Sequence, residues 1–241
     1  MLTNDKLCTG QLSCKSIQIR FDSMLEANNL ACVRGSRRLF SDLNFSLGPG
    51  TLLQITGPNG SGKTSLLRII CGLMAPEAGE VKWDGAQIKS LGEDYSQNFT
   101  YVGHRHGLKE ELTSVENLRV FAGLSGSELT ITAASRALAD VGLAGRENLP
   151  VRILSEGQKR RSALARLPAT PRTLWVLDEV LASLDAHAVS TVEGLIDAHL
   201  SQAGMAIVTT HQPLKLSAAT VQRLELTAEL SNSQASPEWS S

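Results

Sequence analysis

Gly57-Pro58-Asn59-Gly60-Ser61-Gly62-Lys63-Thr64 is the stretch whose reading decides the fold. It matches GxxxxGK[ST], and it stands between an apolar strand-like run at 52–56 and an apolar segment at 65–72 that reads as a helix. The residue types follow from the chemistry of phosphate binding. Glycines let the backbone curl until successive N–H groups converge on phosphate oxygens. The N-terminus of the helix that begins near Ser65 adds the positive end of its dipole. Lys63 supplies a compact charge for the β- and γ-phosphates, and Thr64 a hydroxyl for Mg²⁺. The plainer alternative is a glycine-rich turn with an exposed lysine. Average composition makes a chance match in a chain of this length an event on the order of 1%, and the strand–turn–helix context weakens that alternative further.

A phosphate loop of this kind needs a metal-positioning carboxylate at the end of a neighbouring strand. The continuous apolar run Leu174-Trp175-Val176-Leu177, followed by Asp178-Glu179, has the look of a parallel strand buried on both faces. Asp178 is expected to orient Mg²⁺ through its water shell, and Glu179 to polarise an attacking water. A third element, Leu154-Ser155-Glu156-Gly157-Gln158, opens a helix about 20 residues earlier. There Ser155 and Gly157 can present a hydroxyl and backbone N–H groups to an anion. Alone, a capping serine would be the plainer reading; order and spacing with the other two elements favour the anion site.

Composition sets bounds around these motifs. The chain has 241 residues, 23 Lys+Arg against 24 Asp+Glu and 42% hydrophobic residues, which describes an ordinary globular chain with a substantial core. A net charge of −1 gives no electrostatic support for nucleic acid as a partner. No apolar run approaches the roughly 18 residues of a membrane span. Cys8, Cys14, Cys32 and Cys71 form no CxxC pair, so reduced structural thiols in the cytosol are expected rather than a disulfide scaffold or a zinc site. Residues 1–23 lack a secretory h-region, and Met24 opens a strand-like segment, so 1–23 is read as an extension that could lie upstream of the true start.

Along the chain, strands are expected at 25–33, 43–47, 52–56, 81–85, 99–102, 174–177 and 206–209. Helical spacing is expected over 113–146, after Gly157 with a break at Pro168, and from Asp185 to about Leu200. This alternation predicts an α/β fold. The Ser-rich stretch 228–241 reads as a disordered tail.

With these motifs in this order, residues 24–227 resemble the ATP-binding-cassette ATPases. The resemblance implies a P-loop ATPase core with a mixed sheet, an antiparallel β subdomain and a helical insertion at about 104–160. It makes Leu154 to Gln158 the signature motif, 182–185 the D-loop with Asp185, and His211 the switch histidine that contacts the γ-phosphate. Two cassettes would pack head to tail, each signature completing the other's P-loop site around ATP and Mg²⁺. The family-typical aromatic that stacks on adenine is replaced by Arg34, which either stacks through its guanidinium or is a plain surface arginine. His104 stands where the Q-loop glutamine is expected; metal binding by His104 and His106 is the weaker alternative.

Those departures narrow the resemblance. The segment 39–45, Gly103-His104, 111–118 and the Leu174-Trp175 start look like the haem-exporter ATPases of bacterial cytochrome c maturation. That implies integral-membrane permease subunits as partners, a periplasmic haem-chaperone pathway, and a peripheral position on the cytoplasmic face of the inner membrane. Another importer or exporter ATPase is the second reading. A soluble cassette acting on ribosomes or DNA ends is the third, disfavoured by the single cassette and the absence of sustained heptads. Val180, where proline commonly follows the glutamate, and Pro168 depart from the usual pattern without removing a catalytic group.

Overall fold

The computed structural model describes residues 23–182, 184–217 and 220–227. Residues 1–22, Ser183 of the expected D-loop and the expected disordered tail at 228–241 lie outside them. Nine strands and eight α-helices are described: β1 Leu25–Arg34, β2 Arg37–Leu47, β3 Thr51–Thr56, α1 Lys63–Ile70, β4 Ala78–Trp83, β5 Ala86–Gln87, α2 Ile88–Leu91, α3 Glu93–Ser96, β6 Phe99–Val102, α4 Ser114–Leu124, α5 Ile131–Asp140, α6 Glu156–Leu164, α7 Arg166–Ala169, β7 Leu174–Asp178, α8 Ala186–Ser201, β8 Met205–Thr209 and β9 Thr220–Glu225. The β-structure, expected as a mixed core sheet plus an antiparallel subdomain, separates into two sheets. One is antiparallel with order β2-β1-β4-β5; the other has order β6-β7-β8-β3-β9 and every described pairing in it is parallel.

Burial explains why the central strands read as unbroken apolar runs. In β3, Leu53 and Ile55 face a core shared with α1 and the antiparallel sheet, while Leu52 faces a second core built on α4 to α8. In β7, Val176 goes to the first core and Trp175 and Leu177 to the second; in β8, Ile207 and Val208 divide in the same way. Successive side chains point to opposite faces, and both faces are covered, so no polar residue interrupts the strand. The parallel order then brings the C-terminal ends of β3, β7 and β8 to one edge, where the P-loop, Asp178-Glu179 and Thr209 emerge.

Four features differ from expectation. β2 begins at Arg37, not 43, because it pairs along β1 through Arg34↔Arg37 and Val33↔Arg38 despite its polar start. β9 lies beside β3 at the sheet edge, with a mostly exposed pattern that no strand expectation covered. The helix after the signature breaks at Ala165, three residues before Pro168. A proline ring collides with the carbonyl four residues back and lacks an N–H, so the interruption falls upstream and Pro168 sits inside the short first turns of α7. Helices α4 to α7 all lie between β6 and β7, so the helical segment extends past the expected boundary near 160.

Candidate functional site

The eight-residue loop sits between β3 and α1 as its motif requires. Gly57, Gly60 and Gly62 have φ of 142°, 78° and 105°. A Cβ on Gly57 would lie 2.3 Å from the Leu226 carbonyl oxygen, so only glycine lets the loop pass beneath the end of β9. Gly62 is the N-cap of α1 and offers no side-chain cap, which leaves first-turn N–H groups for a ligand. Ser61 is buried, and among the described residues its Oγ has no hydrogen-bond partner. A curled glycine backbone, an uncapped helix N-terminus and an orphaned hydroxyl together fit a phosphate group.

Lys63 is buried, and its Nζ donates to the carbonyls of Gly57 (2.8 Å) and Pro58 (3.2 Å). It also lies 3.7 Å from Glu179 Oε1 and 3.5 Å from His211 Nε2. The ammonium is thus held over the loop by backbone oxygens, with one face turned to the carboxylate and the histidine. His211 Nε2 is 4.0 Å from Glu179 Oε1, and its ring is largely exposed. Among the described residues these contacts bring Lys63, Glu179 and His211, expected as a catalytic set, into one group.

Asp178 closes the other side. Thr64 Oγ1 donates to Asp178 Oδ2 at 2.9 Å, so the hydroxyl and the carboxylate expected around one metal ion are already neighbours. Two further groups hold the same carboxylate, and sequence reasoning missed both. Thr209 Oγ1 donates to Asp178 Oδ1 at 2.9 Å, and the Tyr101 hydroxyl donates to Asp178 Oδ2 at 3.5 Å. Burial, and after it the Asp178 charge, pushes the Tyr101 phenol up to about 12, so it stays a proton donor at any physiological pH. Glu179 has φ 51°, a left-handed conformation that costs a non-glycine residue about 1–3 kcal/mol. Its N–H is anchored by Thr209 Oγ1 at 2.8 Å and by the Thr209 carbonyl at 3.2 Å. Val180 follows as a fully buried core residue, which leaves the carboxylate of Glu179 at the cleft.

A cleft of about 400 Å³ opens here, its walls including Arg34, Asn59, Lys63, Thr64, His104 and Glu179. Ser65, Gly60, Gly62 and Asp178 also reach it. Arg34 and His104, the two departures from the family pattern, therefore stand at the same opening as the loop. His104 and His106 part company: His106 Nε2 meets Glu156 Oε2 at 3.2 Å on α6. Among the described residues no group of three or more His, Cys, Asp and Glu could cage a metal, so a His104–His106 metal site has no support. A hydroxyl and a single carboxylate beside a phosphate site fit Mg²⁺, which takes few protein ligands and completes its shell with phosphate and water.

The signature residues lie elsewhere. Ser155 caps α6, its Oγ accepting from Gln158 N at 3.3 Å while Gln158 Oε1 accepts from Ser155 N at 3.0 Å. Ser155 is exposed, and neither it, Gly157 nor Gln158 lines the cleft. Asp185 caps α8, with Oδ1 accepting from Ala188 N at 2.8 Å, and it too is away from the cleft. The chain by itself assembles one half of the expected composite site.

Comparison with known proteins identifies the family. The ABC transporter family pattern matches residues 40–182. The cytochrome c biogenesis ATP-binding export protein CcmA of Nitrosospira multiformis is 53% identical over 203 residues, 84% of this chain and 98% of that protein. Its counterpart in Escherichia coli K12 is 45% identical over 204 residues, 85% of this chain and 97% of that protein. A dimeric ATP-binding cassette solved in a post-hydrolysis state with ADP and phosphate superposes with a TM-score of 0.75 at 22% identity, covering 86% of this chain and 97% of that one, a likeness of fold. The chain belongs to the ABC transporter family.

Proposed function

We propose that the chain is the ATP-hydrolysing subunit of an inner-membrane transporter complex, coupled to haem export or haem-chaperone release in cytochrome c maturation. The observation that carries the ATPase part is the Thr64–Asp178 hydrogen bond. It joins the phosphate loop to the Asp-Glu strand and sets Lys63 and Glu179 3.7 Å apart beside it. The cytochrome part is supported by relatives at 45–53% identity that carry that name over nearly their whole length.

On this reading the residues divide the work. Gly57 to Ser65 wrap the phosphates, and Lys63 balances their charge. Arg34 borders the base. Thr64 and Asp178 would hold Mg²⁺, which would supply positive charge to offset that of the phosphates. Glu179 accepts a proton from water, His211, beside Lys63 and Glu179, contacts the terminal phosphate, and His104 borders the cleft at the Q-loop position. Ser155, Gly157 and Gln158 of a second cassette, with its Asp185 nearby, close the site, so the working unit is a dimer seated on permease subunits at the cytoplasmic face. No helix among the described residues is long and apolar enough to cross a membrane. Partners must supply the span on this reading.

Glu179→Gln keeps the shape of the side chain and removes its basicity. MgATP binding is expected to persist while turnover falls by about 10²-fold or more, and cells carrying only this variant should fail to accumulate c-type cytochromes. Turnover at the wild-type rate would remove Glu179 from its role. Recovery of the chain with an amino-acid permease, and normal cytochrome levels without it, would favour the alternative of another ABC importer or exporter.

A further inference from the structure

We propose that Arg160 is a positioning residue for hydrolysis, locking the Glu179 peptide and the peptide before His104 into one arrangement through a single buried guanidinium. The inference rests on the reading of Glu179 as the group that polarises water.

Arg160 lies in the second turn of α6, the helix opened by the signature, yet its side chain is not on the surface: it is 4% exposed. One terminal nitrogen donates to the Gly103 carbonyl at 3.0 Å and the other approaches the Glu179 carbonyl at 3.5 Å. Among the described residues its Nε has no hydrogen-bond partner. Burial lowers the affinity of this guanidinium for its proton, and the charges of Asp178, Glu179 and Glu156 act in the opposite direction. Among the described residues this buried arginine hydrogen-bonds two carbonyls and leaves its third nitrogen over, an arrangement that is expensive to maintain unless the two carbonyls matter.

Both do. Gly103 immediately precedes His104, which borders the cleft. Glu179 is in the left-handed region with φ 51°, where a glutamate does not rest unaided. Thr209 grips that residue from its N–H side, and Arg160 meets it from its carbonyl side, so the peptide that aims the carboxylate is fixed at both ends. A planar fork aims one terminal nitrogen at each of two carbonyls on different loops, whereas an ammonium offers one nitrogen on a flexible stem. Any displacement of α6, whose first turn carries the signature, is therefore passed to both walls of the cleft through one side chain.

The test uses the full-length chain, in the membrane complex with which it purifies, and compares Arg160→Met, Arg160→Lys and Glu179→Gln with wild type. For Arg160→Met we expect kcat to fall about 10- to 100-fold, with the KM for MgATP within about twofold. Arg160→Lys keeps charge and stem and should recover melting temperature but stay within about threefold of the Met variant in kcat, since it cannot bridge both carbonyls. Amide exchange should quicken at 103–105 and 179–182 in both variants while the rest of α6 stays protected. Wild-type kcat in Arg160→Lys would overturn the proposal, as would an unchanged kcat in Arg160→Met or a rise in KM alone. If Arg160→Met does not fold, the kcat and exchange of Arg160→Lys decide. Should Glu179→Gln hydrolyse at the wild-type rate, the reading of Glu179 fails; should it be inactive while both Arg160 variants match wild type, the Arg160 proposal alone fails.

Discussion

Replacing Thr209 by valine tests whether the floor of the cleft is organised by the hydroxyl that joins its two carboxylate residues. Thr209 is fully buried at the end of β8, paired in parallel register with Asp178. Its Oγ1 donates to Asp178 Oδ1 at 2.9 Å and accepts from Glu179 N at 2.8 Å. Valine keeps the shape and removes both bonds. The Glu179 N–H retains the Thr209 carbonyl at 3.2 Å, and Asp178 Oδ2 retains Thr64 at 2.9 Å, so the principal orphan is Asp178 Oδ1. A hydrogen bond to a charged group is worth about 1.5–3 kcal/mol, and burying the extra methyl returns less than about 1 kcal/mol. The net loss is about 2 kcal/mol, which for a domain of this size lowers the melting temperature by roughly 4–8 °C. The Asp178 carboxylate, released on one side, is expected to weaken the response to Mg²⁺, and the loosened Glu179 peptide to lower kcat by about 10- to 100-fold. Thermal melting of the full chain and steady-state ATPase across a Mg²⁺ titration measure both effects, with Thr209→Ser as the variant that keeps the hydroxyl. A melting temperature within about 1 °C of wild type together with kcat within about twofold would refute the reasoning.

Gly57→Ala places a methyl 2.3 Å from the Leu226 carbonyl at a φ of 142°; equilibrium binding of a fluorescent ATP analogue should weaken at least tenfold, and wild-type affinity would show that the loop does not need this close approach. His199 stacks on Trp175 with ring centroids 3.9 Å apart, and burial lowers its proton affinity to about 4. The unfolded chain takes up that proton below about pH 6.5 while the folded chain refuses it until about pH 4, so stability falls as pH drops through that window, by up to about 3 kcal/mol. Urea unfolding across it should show this slope in wild type and not in His199→Phe; equal slopes would assign the acid sensitivity to other groups. Glu156 puts a negative charge in the first turn of α6, held by His106 at 3.2 Å and by Lys159 at 3.2 Å, and these partners lower its proton affinity. If that turn meets a partner cassette's phosphate, Glu156→Ala in the Glu179→Gln background should tighten ATP-driven self-association in sedimentation, and weaker association would count against the trans site.

What the sequence made legible is what lies close together in it. The loop from Gly57 to Thr64 is one contiguous string whose chemistry is local, and Asp178-Glu179 stands out because it follows, at the right distance from that loop, an apolar run of the kind found in a strand covered on both faces. Arg34 and His104 were placed by their offsets from those motifs, and both line the cleft. The groups that orient the motifs were not legible, because their roles come from register rather than from neighbours in the chain. Thr209 reads as an ordinary β-branched strand residue until the Asp178↔Thr209 pairing sets its hydroxyl between the two carboxylate residues. Tyr101 becomes a donor to Asp178 only through the pairing of β6 with β7.

Arg160 is the sharper case. The first turns of α6 carry Lys159, Arg160 and Arg161 in succession, and a basic run of that kind reads as a solvated face. Lys159 does pair on the surface with Glu110 and Glu156, and Arg161 reaches the Gly142 carbonyl, also at an exposed position. Only the residue between them turns inward, because a helix spreads adjacent side chains by about 100°. The inward direction at that point is set by α6 resting on the segment that leaves β6 and on the turn after β7. A motif gives the reacting groups their chemistry; the packing of a distant helix gives them their aim. Substitutions at Arg160 should therefore separate from those at Lys63 in kinetics, lowering turnover while MgATP still binds.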